Sequence, residues 1–260
     1  MKIIPKKSLG QNFLIDKGII KKICNSGNIT SNNNVLEIGP GTGNLTEFIL
    51  QKRPKKFHVI EKDERLAKNL KEKFDKNIKI INEDILKYNL RSLSDKDLVI
   101  FGNLPYNISS QILINFINYS YSEFSYKKLV LMFQKEVADR ILAEDNSKNY
   151  GRLSIFSSWK LNIKKIMDIS PSSFFPKPKV MSSLLIFEPK INYIKFKNSK
   201  NLEHITNVFF NQRRKMIKKP LNILFKSSKE VIDELNLNIN LRPQNLKKDT
   251  FYKICLIYEK

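Results

Sequence analysis

Val35-Leu36-Glu37-Ile38-Gly39-Pro40-Gly41-Thr42-Gly43 joins a short apolar run to three glycines set two residues apart. The run is long enough for a buried strand and too short for a helix. Glycine is kept where the backbone must turn sharply or let a ligand approach closely. The chain has only 8 glycines, and four of them (Gly39, Gly41, Gly43 and Gly102) fall in two loops. Strand, glycine loop and helix in succession hold a nucleotide at the carboxyl end of a parallel sheet. The spacing is not GxGxxG, and Pro40 removes one N–H that could cradle a pyrophosphate, which favours a cofactor without one.

Outward from this loop, apolar runs recur at 57–60, 78–81, 98–101 and 129–133. Helical patterns such as 66–74 and 110–119 lie between them. This alternation predicts a parallel sheet covered by helices on both faces. Segments 162–169 and 182–187 flank a Pro-rich loop and predict an antiparallel hairpin at the sheet edge. After Pro189 the pattern changes to helices over 202–210, 216–225 and 231–235.

The predicted strands end in polar groups. Glu61 follows the second and can accept both hydroxyls of a ribose. Asp84 follows the third and can accept an adenine amine, and Asn103 ends the fourth. A lone acid at a strand end is most often a solvated loop residue, but the recurrence at successive strands is what a ligand crevice requires. Asn103-Leu104-Pro105-Tyr106 is the most chemically specific of these ends. The Asn oxygen accepts from an exocyclic amine, and the Tyr ring stacks on a flat base.

Net charge is +22, with a pI near 9.8, which predicts a polyanionic partner. Lys outnumbers Arg 39 to 8, so clustered arginine is the better pointer. Arg213 and Arg214 stand side by side before Lys215, and Lys177 and Lys179 flank Pro178. Two distant cysteines and two histidines argue against a metal site. With no long apolar segment and no signal-peptide pattern, the expected setting is the cytoplasm.

These motifs together resemble the rRNA adenine N6,N6-dimethyltransferases. The resemblance runs through Gln11-Asn-Phe-Leu14, the glycine loop, Val59-Ile-Glu-Lys-Asp63, Glu83-Asp84 and Asn103-Leu-Pro-Tyr-Asn-Ile-Ser109. It continues through Phe133–Arg140, Tyr150-Gly-Arg-Leu-Ser154, Phe174-x-Pro-x-Pro-x-Val-x-Ser182 and Gln212-Arg-Arg-Lys215. The segments at 150–154 and 212–215 are similar to the branch that modifies the small ribosomal subunit.

The resemblance implies a doubly wound, Rossmann-like class I methyltransferase domain (residues 1–190) and a small all-helical, RNA-binding domain (residues 191–260). It implies S-adenosyl-L-methionine as cofactor, held by Asn12, Leu14, Gly39, Glu61, Asp84 and Asn103. Catalysis would fall to Asn103, Leu104, Tyr106 and Phe174, the two rings clamping a flipped adenine. Lys177, Lys179, Arg213, Arg214 and Lys215 would meet RNA. The implied substrate is two adjacent adenosines in the 3′-terminal hairpin loop of 16S rRNA, within an immature small subunit, and the implied enzyme is monomeric. The competing readings are a macrolide-resistance type large-subunit rRNA methyltransferase, a DNA adenine-N6 methyltransferase, and a non-catalytic RNA-binding assembly factor.

Overall fold

The computed structural model describes residues 4–74, 77–93, 95–119 and 125–260. These divide into two compact units, one of residues up to Ala138 with Ile163–Pro189, the other of Asp139–Asn162 with Lys190–Lys260.

The first unit is built on strands β1 (Phe13–Leu14), β2 (Asn34–Ile38), β3 (Lys56–Ile60), β4 (Lys79–Ile81), β5 (Leu98–Asn103), β6 (Tyr126–Gln134), β7 (Leu161–Ile169, from Ile163 onward), β8 (Phe174–Phe175) and β9 (Ser182–Pro189). Seven form one sheet in the order β4-β3-β2-β5-β6-β9-β7, while β1 and β8 pair separately. The pairings from β4 to β6 are parallel, and β9 lies antiparallel on β6. Segments 162–169 and 182–187 thus stand at the sheet edge as expected. The central strands are continuous apolar runs because helices cover both faces. Val35, Leu36 and every residue of 98–101 have no accessible surface.

Helices α1 (Lys17–Ser26), α2 (Asn44–Leu50), α3 (Glu64–Phe74) and α4 (Ser109–Asn118) connect these strands. In α3, buried Leu66, Ala67, Leu70 and Phe74 recur at helical spacing while Lys and Glu fill the other face. Asp16 caps α1 by accepting the Ile19 N–H at 3.0 Å. From β2 the chain runs outward to β4, then returns to β5 on the other side of β2. That reversal opens a crevice beyond the carboxyl ends of β2 and β5.

Helix α5 (Lys135–Leu142) leads into the second unit, which holds α6 (Arg152–Lys160), α7 (Ser199–Asn211), α8 (Lys218–Leu224), α9 (Ser228–Glu234) and α10 (Lys248–Tyr258). Residues 139–162, expected in the first domain, belong here for a packing reason. Tyr150 is wholly buried and donates to the Leu246 carbonyl at 2.9 Å; Tyr252 donates to the Ile155 carbonyl at 2.7 Å. The rings of Phe209, Phe210 and Phe251 fill the space between α7 and α10.

Candidate active site

The crevice at the β2/β5 reversal is lined by the glycine loop, residues 8–14, Glu61, Asp84 and the loop from Asn103 to Ile108. Gly39, Gly41 and Gly43 all take positive φ, at 65°, 60° and 79°. A Cβ on Gly41 would stand 2.9 Å from the Phe13 ring, and one on Gly43 would meet Phe74 and Leu70. The loop therefore wraps tightly over β1 and α3 because no side chain is there to hold it off. A Cβ on Gly39 would instead stand 3.8 Å from the Asn103 carbonyl oxygen, on the crevice side.

Glu61 is buried at the end of β3. One of its carboxylate oxygens accepts the Gly41 N–H at 3.1 Å, the other the Asp63 N–H at 2.9 Å. Burial raises its pKa against the pull of these two amides. Each oxygen keeps a further lone pair, so the carboxylate is oriented and still able to accept from a ligand hydroxyl. Behind it, Glu37 accepts the Thr46 hydroxyl at 2.7 Å, and burial pushes its pKa up to about 8.

Asp84 accepts the Leu86 N–H at 3.0 Å and the Lys62 ammonium at 2.8 Å. Burial opposes its ionisation, but these partners outweigh it and hold the carboxyl below its usual value. An ionised carboxylate only accepts, which suits it to an adenine amine.

Asn103 closes β5, with its Nδ2 donating to the Asn12 carbonyl at 2.9 Å. That contact sets the amide: nitrogen faces Asn12, and oxygen is on the other side. Leu104 folds back over Gly102, where a Cβ would stand 2.6 Å from a Leu104 methyl. Tyr106 is half-buried, and its hydroxyl lies 2.7 Å from Ser182 Oγ. Burial raises the phenol's pKa, so the ring is neutral and fixed.

Asn12, Leu14, Gly39, Glu61, Asp84, Asn103, Leu104 and Tyr106 thus all line one crevice. Phe174 does not. Expected as a stacking ring, it is 3% exposed and packs in the core with Leu14, Ile169 and Leu184. The pairing Leu14↔Phe174 and Phe13↔Phe175 puts successive side chains on opposite sides, so Phe174 points in and Phe175 out. Arg213, expected at RNA, is also engaged elsewhere. Its guanidinium donates to Gln244 Oε1 at 3.1 Å and to the carbonyls of Ser147 and Lys148. Lys177, Lys179, Arg214 and Lys215 are exposed.

Sequence reasoning missed what seats residues 4–12 at the site. Buried Asp63 accepts from Gln11 at 3.1 Å, from Lys6 at 3.3 Å and from Arg65 at 2.8 Å. The Arg65 guanidinium, with Gln11 and Lys6, holds the Asp63 carboxyl well below the usual carboxylate range. The second acid in Val59-Ile-Glu-Lys-Asp63 was its only signal.

Among the described residues no helix is long and apolar enough to cross a membrane, and no cluster of His, Cys, Asp or Glu is placed to hold a metal.

The family described as ribosomal RNA adenine dimethylase matches residues 5–260. "Ribosomal RNA small subunit methyltransferase A" of Pelagibacter ubique is 60% identical over 254 residues, 98% of this chain and 97% of that protein. The protein of the same name from Ehrlichia canis is 40% identical over 261 residues, covering 98% and 97%. A crystal structure of a dimethyladenosine transferase from Plasmodium falciparum superposes with a TM-score of 0.82 at 29% identity, covering 95% of this chain and 97% of that one. The 23S rRNA methyltransferase ErmE, at 21% identity and a TM-score of 0.71 over 96% and 100%, shares the fold. The full-length match, together with the crevice geometry, means that the chain belongs to the ribosomal RNA adenine dimethylase family.

Proposed function

We propose that the protein dimethylates N6 of two adjacent adenosines in the 3′-terminal hairpin loop of 16S rRNA. It acts as a cytoplasmic monomer on the immature small subunit, late in assembly. The observation that carries this reading is the Asn103 amide, held by Asn12 so that oxygen is the acceptor offered at the end of β5.

The crevice fits S-adenosylmethionine. Its glycine turn carries no side chain at Gly39, where a Cβ would come into contact with the Asn103 carbonyl oxygen, Pro40 withholds an N–H that a pyrophosphate would use, and two oriented carboxylates stand at successive strand ends. When bound, the cofactor supplies an electrophilic methyl group. Glu61 would take its ribose hydroxyls and Asp84 its adenine amine, with Asn12, Leu14 and Gly39 enclosing the rest.

The amine of adenine is a weak nucleophile because its lone pair is delocalised into the ring. Asn103 Oδ1 and the Leu104 carbonyl accept its two N–H bonds and favour a pyramidal nitrogen. Tyr106 offers its face to the flipped base, and Ser182 keeps that ring from turning. As the nitrogen gains a methyl group it becomes cationic, and the same two oxygens stabilise the developing charge. The cation then loses its proton without a strong base. Positioning supplies most of the acceleration. For the second transfer the monomethylated amine keeps one N–H, which one of the two oxygens accepts after rotation about the C6–N6 bond.

The test is incubation of the protein with immature small subunits and labelled cofactor, followed by mass spectrometry of the nucleosides. Two N6,N6-dimethyladenosines per subunit are expected. Label in duplex DNA and none in subunit adenosine would defeat the reading.

A further inference from the structure

Among the described residues ten large apolar side chains are exposed, and four of them, Ile15, Phe175, Val180 and Met181, lie on segments 13–16 and 173–182. A single exposed apolar residue needs no explanation, so what matters is where these segments lie. The two segments are tied together. The Ile15 N–H donates to the Ser173 carbonyl at 2.9 Å, and Phe13 pairs with Phe175.

Segment 175–182 is anchored to the active site at both ends. At one end Phe175 pairs with Phe13, whose ring supports Gly41 of the cofactor loop. At the other, Ser182 holds the hydroxyl of Tyr106. The segment therefore borders the place assigned to the target base. Phe175 is 54% exposed there, and the exposed Lys177 and Lys179 follow within four residues. An aromatic face beside cations is the make-up of a platform for single-stranded nucleic acid, the ring stacking on a base while the cations track the backbone. Phe175 occupies the unspecified second position of Phe174-x-Pro-x-Pro-x-Val-x-Ser182, so this face belongs to the chain rather than to the motif.

We propose that Phe175 is a stacking platform for the unpaired nucleobase next to the target adenosine, with Lys177 and Lys179 holding the neighbouring phosphates. This rests on the reading of the crevice as an RNA adenine site. The platform makes Phe175 a positioning residue for the RNA strand, without contact with the reacting amine.

The test uses the full chain, immature small subunits and saturating cofactor, with Phe175→Ala, Phe175→Leu and Phe175→Tyr. Loss of one stacked base should raise KM for subunits about tenfold in Phe175→Ala while kcat stays within about twofold. Phe175→Leu, apolar but without a π-face, should resemble Phe175→Ala, and Phe175→Tyr should restore KM. The cofactor dissociation constant should not move in any variant. An unchanged KM in Phe175→Ala, rescue by Leu equal to that by Tyr, or a parallel loss of cofactor affinity would overturn the platform alone. Absence of transfer by the unaltered protein would overturn the adenine reading and the platform with it.

Discussion

At the scale of single residues, the arrangement turns on which atoms are already committed. Asn103 has given its N–H to Asn12, so its oxygen remains to accept an amine. Asn103→Ala should lower single-turnover methyl transfer by roughly 10²–10³, the range for removing one preorganised polar group from a transition state. Subunit binding, measured by filter retention, should be nearly unchanged; equal loss of both would remove the assigned role. Glu61 is the converse case, because its carboxylate is already held by two backbone donors. In Glu61→Gln, one of those donors would face an amide NH2. Calorimetry should show cofactor binding weakened by about tenfold or more, since a ligand hydroxyl that donated to the charged carboxylate loses a hydrogen bond of about 1.5–3 kcal/mol. An unchanged dissociation constant would refute the ribose contact.

At the scale of elements, the glycine loop and β1 are one device. Gly41 sits at φ 60° with the Phe13 ring where a side chain would be. Gly41→Ala meets two obstacles, a left-handed backbone that costs about 1–2 kcal/mol and contact with the ring. Thermal melting should show a stability loss at least that large, together with loss of cofactor binding. A stable variant with normal affinity would mean that β1 yields easily and does not shape the crevice. The same strand illustrates what a motif conceals. Phe174 and Phe175 are indistinguishable as letters, and the family resemblance assigned the stacking role to the first. Pairing with Phe13–Leu14, distant in sequence, turned the first ring inward and the second outward.

At the scale of the whole molecule, two global properties follow. The first is stability against pH. Glu37 is buried at the centre of the sheet, with a folded pKa raised from 4.5 to about 8. The folded state keeps a proton that the unfolded chain releases above its own, lower pKa. Its contribution is therefore fully present below that lower value and is lost as pH rises through about 8. Glu37→Gln keeps an acceptor for Thr46 and removes the titration. Urea denaturation across this range should show the unaltered protein losing stability relative to the variant as pH rises; parallel curves would mean that Glu37 is ionised throughout.

The second is electrostatic. With a net charge of +22, affinity for RNA should fall linearly in log–log form as salt rises. Replacing Lys177 or Lys179 by Ala should reduce that slope by about one each if they meet phosphate. Arg213→Ala should leave the slope alone and destabilise the helical unit, because its guanidinium serves Gln244 and the 147–148 carbonyls. An altered slope for Arg213→Ala would restore it to the RNA surface.

What the linear chain determined by itself is local or chemical: strands as apolar runs, helices as 3.6-residue periods, the glycine loop, the acids at strand ends and the Asn103–Tyr106 set. These depend on near neighbours and on residue type, so they can be read without a fold. Only the tertiary structure decided which of two adjacent phenylalanines faces water, that Arg213 is occupied, that residues 139–162 pack with the helical unit, and that Asp63 anchors the segment carrying Asn12. Each of those outcomes is a competition for hydrogen bonds or buried surface between segments far apart in sequence, and no local pattern records who wins it.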